Sequence, residues 1–307
     1  MKPHRAGFVA LVGEPNVGKS TLLNRLLGQK VAIVSPKPQT TRNRILGVLT
    51  RPGWQLALLD TPGLHRARGA LHKAMRESAA QATHEVDLVA LVVDGSRETL
   101  PAETAEDVRA LVTEVRRGRR KSALVVNKVD KADKPRLLPL IDAWTKIHSF
   151  DLVYPLSALT GENADGLAPA LAELLPEGPP LFPPDVVTDQ AERVLAAELV
   201  REQVFRQLRQ EVPYGVAVEV ESFDEGRRQG KRPIVEIHAT LHVARTSQKG
   251  ILIGKGGAQL KAIGSAARRE IEALLGCQVF LALNVRVEEG WPDDARAVHR
   301  FGYGPKG

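Results

Sequence analysis

Eight consecutive residues, Gly13-Glu14-Pro15-Asn16-Val17-Gly18-Lys19-Ser20, have the types and spacing of a loop that holds phosphate. Glycines at its first and sixth positions let backbone N–H groups approach phosphate oxygens, and the loop would open at a helix N-terminus, which favours anions. Lys19 would reach the β- and γ-phosphates, and the Ser20 hydroxyl, followed by Thr21, would ligate Mg²⁺. A plain glycine turn has no use for Lys-Ser at these places. The pattern implies a bound nucleoside triphosphate.

Further clusters follow in the order a guanine-nucleotide switch needs. Asp60-Thr61-Pro62-Gly63 stands at the end of an apolar run, where Asp60 would hold Mg²⁺ through water and the Gly63 N–H would meet the γ-phosphate. Asn127-Lys128-Val129-Asp130 ends another run, and Asp130 would accept from guanine N1–H and its 2-amino group, donors that adenine lacks. Ser157-Ala158-Leu159 would set a backbone N–H against guanine O6. Thr40-Thr41 lies in a polar segment that would close over the γ-phosphate, with the Thr41 hydroxyl on Mg²⁺. Any one of these is commonplace; their order and spacing together imply GTP. The chemistry would be phosphoryl transfer to water, with Lys19, Thr41 and Gly63 nearest the transferred group. Leu64 stands where a Ras-like switch carries a water-orienting glutamine, so intrinsic hydrolysis should be slow. His65 is a lone loop histidine, which leaves the water-orienting group unassigned.

A second cluster, Gly254-Lys255-Gly256-Gly257, matches the G-x-x-G loop of a KH domain and precedes an amphipathic stretch, Ala258–Ile263. The span Arg227–Arg269 holds ten basic residues (227, 228, 231, 232, 245, 249, 255, 261, 268, 269) against one acid, Glu236. Arg245, Lys249, Lys255 and Lys261 would contact phosphates of a single-stranded RNA around that loop. Few aromatics are available for stacking, so the backbone would be clamped and base edges read in a groove.

These residues need elements to position them. Apolar strands are expected at Phe8–Val12, Ile45–Leu49, Gln55–Asp60, Leu88–Asp94, Ala123–Asn127 and Leu152–Pro155. Helices are expected at Lys19–Leu27, Leu71–Thr83, Ala102–Val115, Pro135–Ile147 and Gly166–Leu174. Val- and Leu-rich strands each feeding a helix indicate an α/β domain, a mostly parallel sheet with helices on both faces and ligands at the strand C-termini. Five prolines between Pro176 and Pro184 mark a semi-rigid linker. Beyond it, a helix at Asp189–Gln210, strands at Val216–Val220 and Ile234–His242, two helices and a strand at Gln278–Val287 follow the order of an α+β, type II KH domain. The expected division is therefore 1–175, a linker at 176–188, and 189–307 with a C-terminal tail.

Composition agrees. The chain has 307 residues, enough for two domains, and a net charge of +7, which suits a polyanionic partner. One cysteine, Cys277, rules out an internal disulfide and fits a reducing cytosol. The longest apolar run beyond the first strand, Leu88 to Val93, is far short of a membrane span.

The segments GEPNVGKSTLLNRLLGQK, PQTTRNR, DTPGLH, NKVD, SAL and IGKGGAQLKAIG, with the ending GWPDDARAVHRFGY, resemble the Era family of bacterial ribosome-assembly GTPases across essentially the whole chain. The resemblance implies GTP and Mg²⁺ as ligands, K⁺ held by Asn16, and a KH domain on the 3′ end of 16S ribosomal RNA. It also implies maturation of the 30S ribosomal subunit precursor, a monomer in the cytoplasm, and peripheral contact with the inner face of the cell membrane. A tRNA-modification or translation GTPase would share the first domain, but the KH-like half argues against it. A membrane-surface GTPase would need a basic amphipathic helix with bulky anchors, whereas this basic tract is interleaved with strand patterns.

Overall fold

Alternation of Val and Leu along the first strand sends Val9 and Leu11 to one apolar layer and Ala10 and Val12 to another. That two-sided burial makes β1 (Arg5–Val12) a central strand. The structure is a computed structural model that describes residues 3–63, 69–100, 102–209, 211–230 and 232–304. The first sheet also contains β2 (Ile45–Arg51), β3 (Trp54–Asp60), β4 (Leu88–Asp94), β5 (Lys121–Asn127) and β6 (Leu152–Pro155), in the order β2-β3-β1-β4-β5-β6. All its pairings are parallel except β2 with β3. Helices α1 (Lys19–Leu27) and α5 (Leu167–Glu173) pack on one face through Leu22, Leu23 and Leu171; α2 (Ala70–His84), α3 (Ala102–Arg117) and α4 (Lys134–Ile147) cover the other through Ala82, Val108 and Trp144.

The proline-rich stretch belongs to this unit, not to a free spacer. Gln55 is fully buried; its amide donates to Phe182 O (2.8 Å), and its carbonyl accepts from the N–H groups of Leu181 (2.7 Å) and Phe182 (2.9 Å). Val48 N–H donates to Val187 O at 2.7 Å. The prolines keep the strand-like strap extended while one internal glutamine supplies its partners. The first unit runs to Asp189, and the second takes over at Gln190.

The second unit contains α6 (Glu192–Gln207), β7 (Val216–Arg227), β8 (Ile234–Val243), α7 (Thr246–Ile253), α8 (Ala258–Leu275), β9 (Gln278–Val287) and α9 (Ala295–Arg300). Its sheet has the order β7-β8-β9, with β7 antiparallel and β9 parallel to β8. Val235, Ile237, Ala239 and Leu241 face α6 and α8 through Leu199, Val204, Ile263 and Ile271. This is the helix–strand–strand–helix–helix–strand order expected. Strand β7 extends seven residues beyond its apolar alternation, its ladder with β8 reaching Arg227 opposite Ile234; Arg227 also pairs with Glu236, and Arg228 with Glu192 and Glu225 (both 2.5 Å). Part of the basic tract is thus spent inside the fold. The sequence pattern also missed α9 and the buried Trp291, whose indole N–H donates to Gly215 O at 2.8 Å.

Two short stretches of the N-terminal half also group with the second unit: residues 33–40 and the described residues of 67–74. Ile33 sits in that unit's apolar core.

Candidate nucleotide site and nucleic-acid interface

The phosphate loop joins the end of β1 to the start of α1, as its sequence implies. Backbone crowding dictates its glycines. A Cβ on Gly13, with φ 148°, would lie 2.2 Å from Val92 O; one on Gly18, with φ 100°, would lie 2.3 Å from Asn127 Nδ2. Lys19 is 6% exposed and its ammonium donates to Gly13 O (3.1 Å) and Glu14 O (2.9 Å). Burial brings its pKa down to about 8, against the opposing pull of Asp60 and Glu14. The ammonium waits on loop carbonyls that a phosphate would displace. The Glu14 side chain points elsewhere: it accepts from Thr104 Oγ1 and pairs with Arg97 at 2.6 Å, so only its backbone is left to serve the loop.

Three oxygens converge beside Lys19. Ser20 Oγ lies 2.8 Å from Thr41 Oγ1 and donates to Asp60 Oδ2 at 2.5 Å, while Thr41 Oγ1 lies 3.4 Å from the same carboxylate oxygen. Asp60 is fully buried, its Oδ1 has no hydrogen-bond partner among the described residues, and burial pushes its pKa up to about 6 despite Lys19 nearby. Hydroxyl and carboxylate oxygens with an orphaned lone pair suit a hard cation such as Mg²⁺. Thr41, rather than Thr40, joins them, since the Thr40 hydroxyl is taken by Ser35 Oγ (2.6 Å) and Lys37 O (2.8 Å). Thr61 Oγ1 donates to Leu11 O at 2.8 Å, fixing the turn that carries Pro62 and Gly63. A Cβ on Gly63 would lie 2.7 Å from Pro15 N, so only glycine lets this backbone approach the loop so closely. Leu64 and His65 lie outside the described residues.

On the base side, Asn127 acts as a brace. Its amide donates to Val17 O (2.7 Å), and its carbonyl accepts the Ala158 N–H (2.8 Å). Of the Ser157–Leu159 backbone N–H groups, one of which was expected to meet guanine O6, that of Ala158 is therefore engaged by Asn127. Lys128, at φ 67°, pairs with Asp94 at 2.6 Å. Val129 is buried, whereas the Asp130 carboxylate is exposed and has no protein partner among the described residues. Ser157 is fully buried and its Oγ accepts from Thr160 N at 3.1 Å, holding the turn that exposes Leu159. Arg25, nearly two turns into α1, was not foreseen: its guanidinium donates to Ala158 O (3.1 Å) and Leu159 O (2.6 Å). Its only sequence signal was position, a cation two turns after a phosphate loop.

In the second unit, Gly254 to Gly257 form the turn between α7 and α8. Gly256 and Gly257 have φ of 59° and 81°, and a Cβ on either would meet nothing among the described residues within 4 Å. Among the described residues no side chain caps the start of α8, whose first N–H, that of Ala258, donates to Lys255 O. A groove of about 530 Å³ runs from Gly257 along α8 to β9, lined by Lys261, Gly264, Arg268, Phe280 and Leu283 among others. Arg268 and the β9 wall were missed because neither adjoins the glycine loop in sequence. Lys255 is exposed on the loop, while Arg245 and Lys249 sit at the start of α7 and do not line the groove.

Two family models match the chain: one described as a 50S ribosome-binding GTPase, over residues 8–128, and one as a KH domain, over residues 211–292. Fold and sites together define a phosphate-loop GTPase joined to a KH domain. The GTPase Era of Geobacter metallireducens is 49% identical over 302 residues, 98% of each chain, and that of Clostridioides difficile is 44% identical over 305. Two Era crystal structures, an Aquifex aeolicus variant bound to GDP·AlF4⁻ and a complex with MgGDPNP and nucleotides 1506–1542 of 16S ribosomal RNA, each match with a TM-score of 0.92 at 40% identity, covering 98% of this chain. The chain belongs to the Era family of GTPases.

Proposed function

We propose that this GTPase is a Mg²⁺-dependent switch that binds the 3′ region of 16S ribosomal RNA through its KH groove and assists maturation of the small ribosomal subunit. The observation that carries the switch reading is the Ser20–Thr41–Asp60 oxygen cluster beside the buried Lys19. Bound Mg²⁺ would supply positive charge to the β- and γ-phosphate oxygens. Lys19 leaves its carbonyl partners to neutralise phosphate charge, the Gly63 N–H is directed at the γ-phosphate, and Asp130 selects guanine. The RNA reading is supported by the open glycine turn, the uncapped start of α8, and the RNA-bound Era relative.

The test pairs two measurements on the full chain. Lys255→Asp with Gly256→Asp places two negative charges where phosphates must approach. Binding to a 16S 3′-end oligonucleotide should fall at least tenfold, with GTP hydrolysis in the absence of RNA unchanged. Parent-like RNA binding would remove the groove from the reading.

Finer parts of the same proposal rest on the resemblance. Asn16, a loop residue, would help hold K⁺ against the triphosphate; hydrolysis should run several-fold faster in K⁺ than in Na⁺, and equal rates would exclude it. A cytoplasmic monomer with peripheral contact to the inner membrane face is the remaining expectation. Among the described residues no helix is long and apolar enough to cross a membrane, and co-sedimentation with anionic vesicles tests the surface contact.

A further inference from the structure

Six consecutive residues of the GTPase unit, Arg116-Arg117-Gly118-Arg119-Arg120-Lys121, hold five cations and no acid. They run from the last turn of α3 into β5, at the edge of the sheet away from the nucleotide loops. Strand β5 opens at Lys121 and closes at the Asn127 brace, about 20 Å further on.

The fold accounts for part of this charge. Cations are favoured at a helix C-terminus. Arg120 Nη1 donates to Thr83 O near the end of α2, and Lys121 pairs with Asp151 at 2.7 Å. Three arginines are left. Arg117 meets Glu114 at 3.0 Å, but the two side chains are 75% and 43% exposed, so the pair is weak and screened by salt. Arg116 and Arg119 are exposed, and their side chains make no hydrogen bond or ion pair among the described residues.

Arg119 carries a second signal. Helix α3 ends in a turn where the Arg119 N–H donates to Arg116 O (3.0 Å) and the Arg120 N–H to Val115 O (3.1 Å). The left-handed residue of that turn is Arg119, at φ 51°, a position that favours glycine. Gly118 stands one residue too early to fill it. Stability alone would place glycine at 119, so the side chain there has a use outside the fold.

Three guanidinia within four residues suit an anion of repeating charge, since each fork can take phosphate oxygens in pairs. A lipid surface fits less well. Insertion needs bulky apolar side chains beside the charge, and α3 buries Val108, Val112 and Val115 against the sheet. We propose that Arg116, Arg117 and Arg119 form a second RNA contact, on the GTPase unit, which holds the phosphate backbone of folded ribosomal RNA without reading its sequence. The proposal rests on the ribosomal reading for the class of partner and needs nothing of the KH groove.

The test uses a 16S ribosomal RNA transcript and the full chain with Lys255→Asp and Gly256→Asp, so that the KH groove is disabled. Adding Arg116→Gln, Arg117→Gln and Arg119→Gln should weaken the remaining binding at least about tenfold at physiological salt. The slope of log affinity against log salt should shrink by about 2, because each phosphate neutralised contributes about 0.7. Glutamine at three other exposed cations of the unit, Arg109, Lys134 and Lys146, removes equal charge and should leave affinity within about twofold. An equal loss there would make the effect one of net charge and overturn the patch. Arg119→Gly, in the same KH-substituted chain, separates use from packing. Its urea midpoint should hold or rise while transcript affinity falls about fourfold. Unchanged affinity in the glutamine variant or in Arg119→Gly overturns the proposal. Loss of binding to phosphatidylglycerol vesicles with transcript binding intact overturns it too, and assigns the patch to lipid. If the KH substitutions alone leave transcript binding at the parent value, the groove reading fails, and the glutamine comparison still decides the patch.

Discussion

Asn127→Ala isolates the brace that ties the phosphate loop to the base-binding turn. The substitution deletes two bonds at a side chain 2% exposed: the one to Val17 O at 2.7 Å and the one from Ala158 N–H at 2.8 Å. A buried N–H left without a partner costs about 1–3 kcal/mol, and a carbonyl losing one bond about 0.5–1.5 kcal/mol, so the pair amounts to about 2–4 kcal/mol. Arg25 still grips Ala158 O and Leu159 O, which holds the turn near its place in the free protein. The loss should therefore divide between stability and nucleotide binding. If all of it reached binding, affinity would fall about 30- to 1,000-fold. Titration with fluorescent GDP and GTP, alongside urea unfolding of the nucleotide-free protein, reads both shares. GDP and GTP should weaken equally, because guanine is common to them. Asn127→Asp keeps an acceptor for Ala158 N–H but sets an anion against Val17 O, so it should be no better than alanine. Affinity within threefold of the parent, with unfolding also unchanged, would refute the brace.

Asp130→Asn should move preference from GTP to XTP, since an amide can donate to xanthine O2; unchanged GTP affinity in a competition assay would displace Asp130 from the base pocket. Without Mg²⁺, the folded-state pKa of Asp60 is raised from 3.8 to about 6 by burial, so the folded protein holds its proton more tightly than the unfolded chain. That contribution to stability is complete below pH 3.8 and is lost as pH rises through about 6. Urea midpoints of the parent minus those of Asp60→Asn, measured from pH 4 to 7 without metal, should fall across that window; a flat difference would show that the carboxyl is not held protonated.

Elements whose ends coincide with chemistry could be read to the residue. Helix α1 begins at Lys19 and strand β4 ends at Asp94 because apolar runs stop where a polar side chain must leave the sheet. The nucleotide residues other than Thr41 were legible for the same reason: they sit at or just beyond a strand C-terminus or at a helix N-terminus. What stayed hidden depends on partners far along the chain. The proline-rich strap reads as a spacer until Gln55, more than 120 residues earlier, is seen to satisfy its backbone. Residues 33–40 read as part of a polar segment closing over the γ-phosphate, and their attachment to α6 stayed hidden because it uses main-chain carbonyls that no side-chain pattern announces. The basic tract misled in one respect, since charge counts cannot show that Arg227 and Arg228 are already paired.

The two glycine loops apply one physical device in opposite ways. Each places an uncapped helix start and a lysine where phosphate arrives. At Gly13 and Gly18 the protein itself forbids a side chain, and Lys19 is enclosed with its pKa lowered to about 8 by burial. Such a site is finished before its ligand comes, and it fits one compact triphosphate of fixed dimensions. At Gly256 and Gly257 nothing among the described residues lies within 4 Å of a would-be Cβ, and Lys255 is exposed. On the proposed reading, that space would take a sugar–phosphate backbone passing through the groove beside α8. The glycines of the first loop are therefore required by the fold and those of the second by the ligand. Alanine at Gly13 should damage the folded protein, whereas alanine at Gly257 should be felt chiefly when RNA is bound.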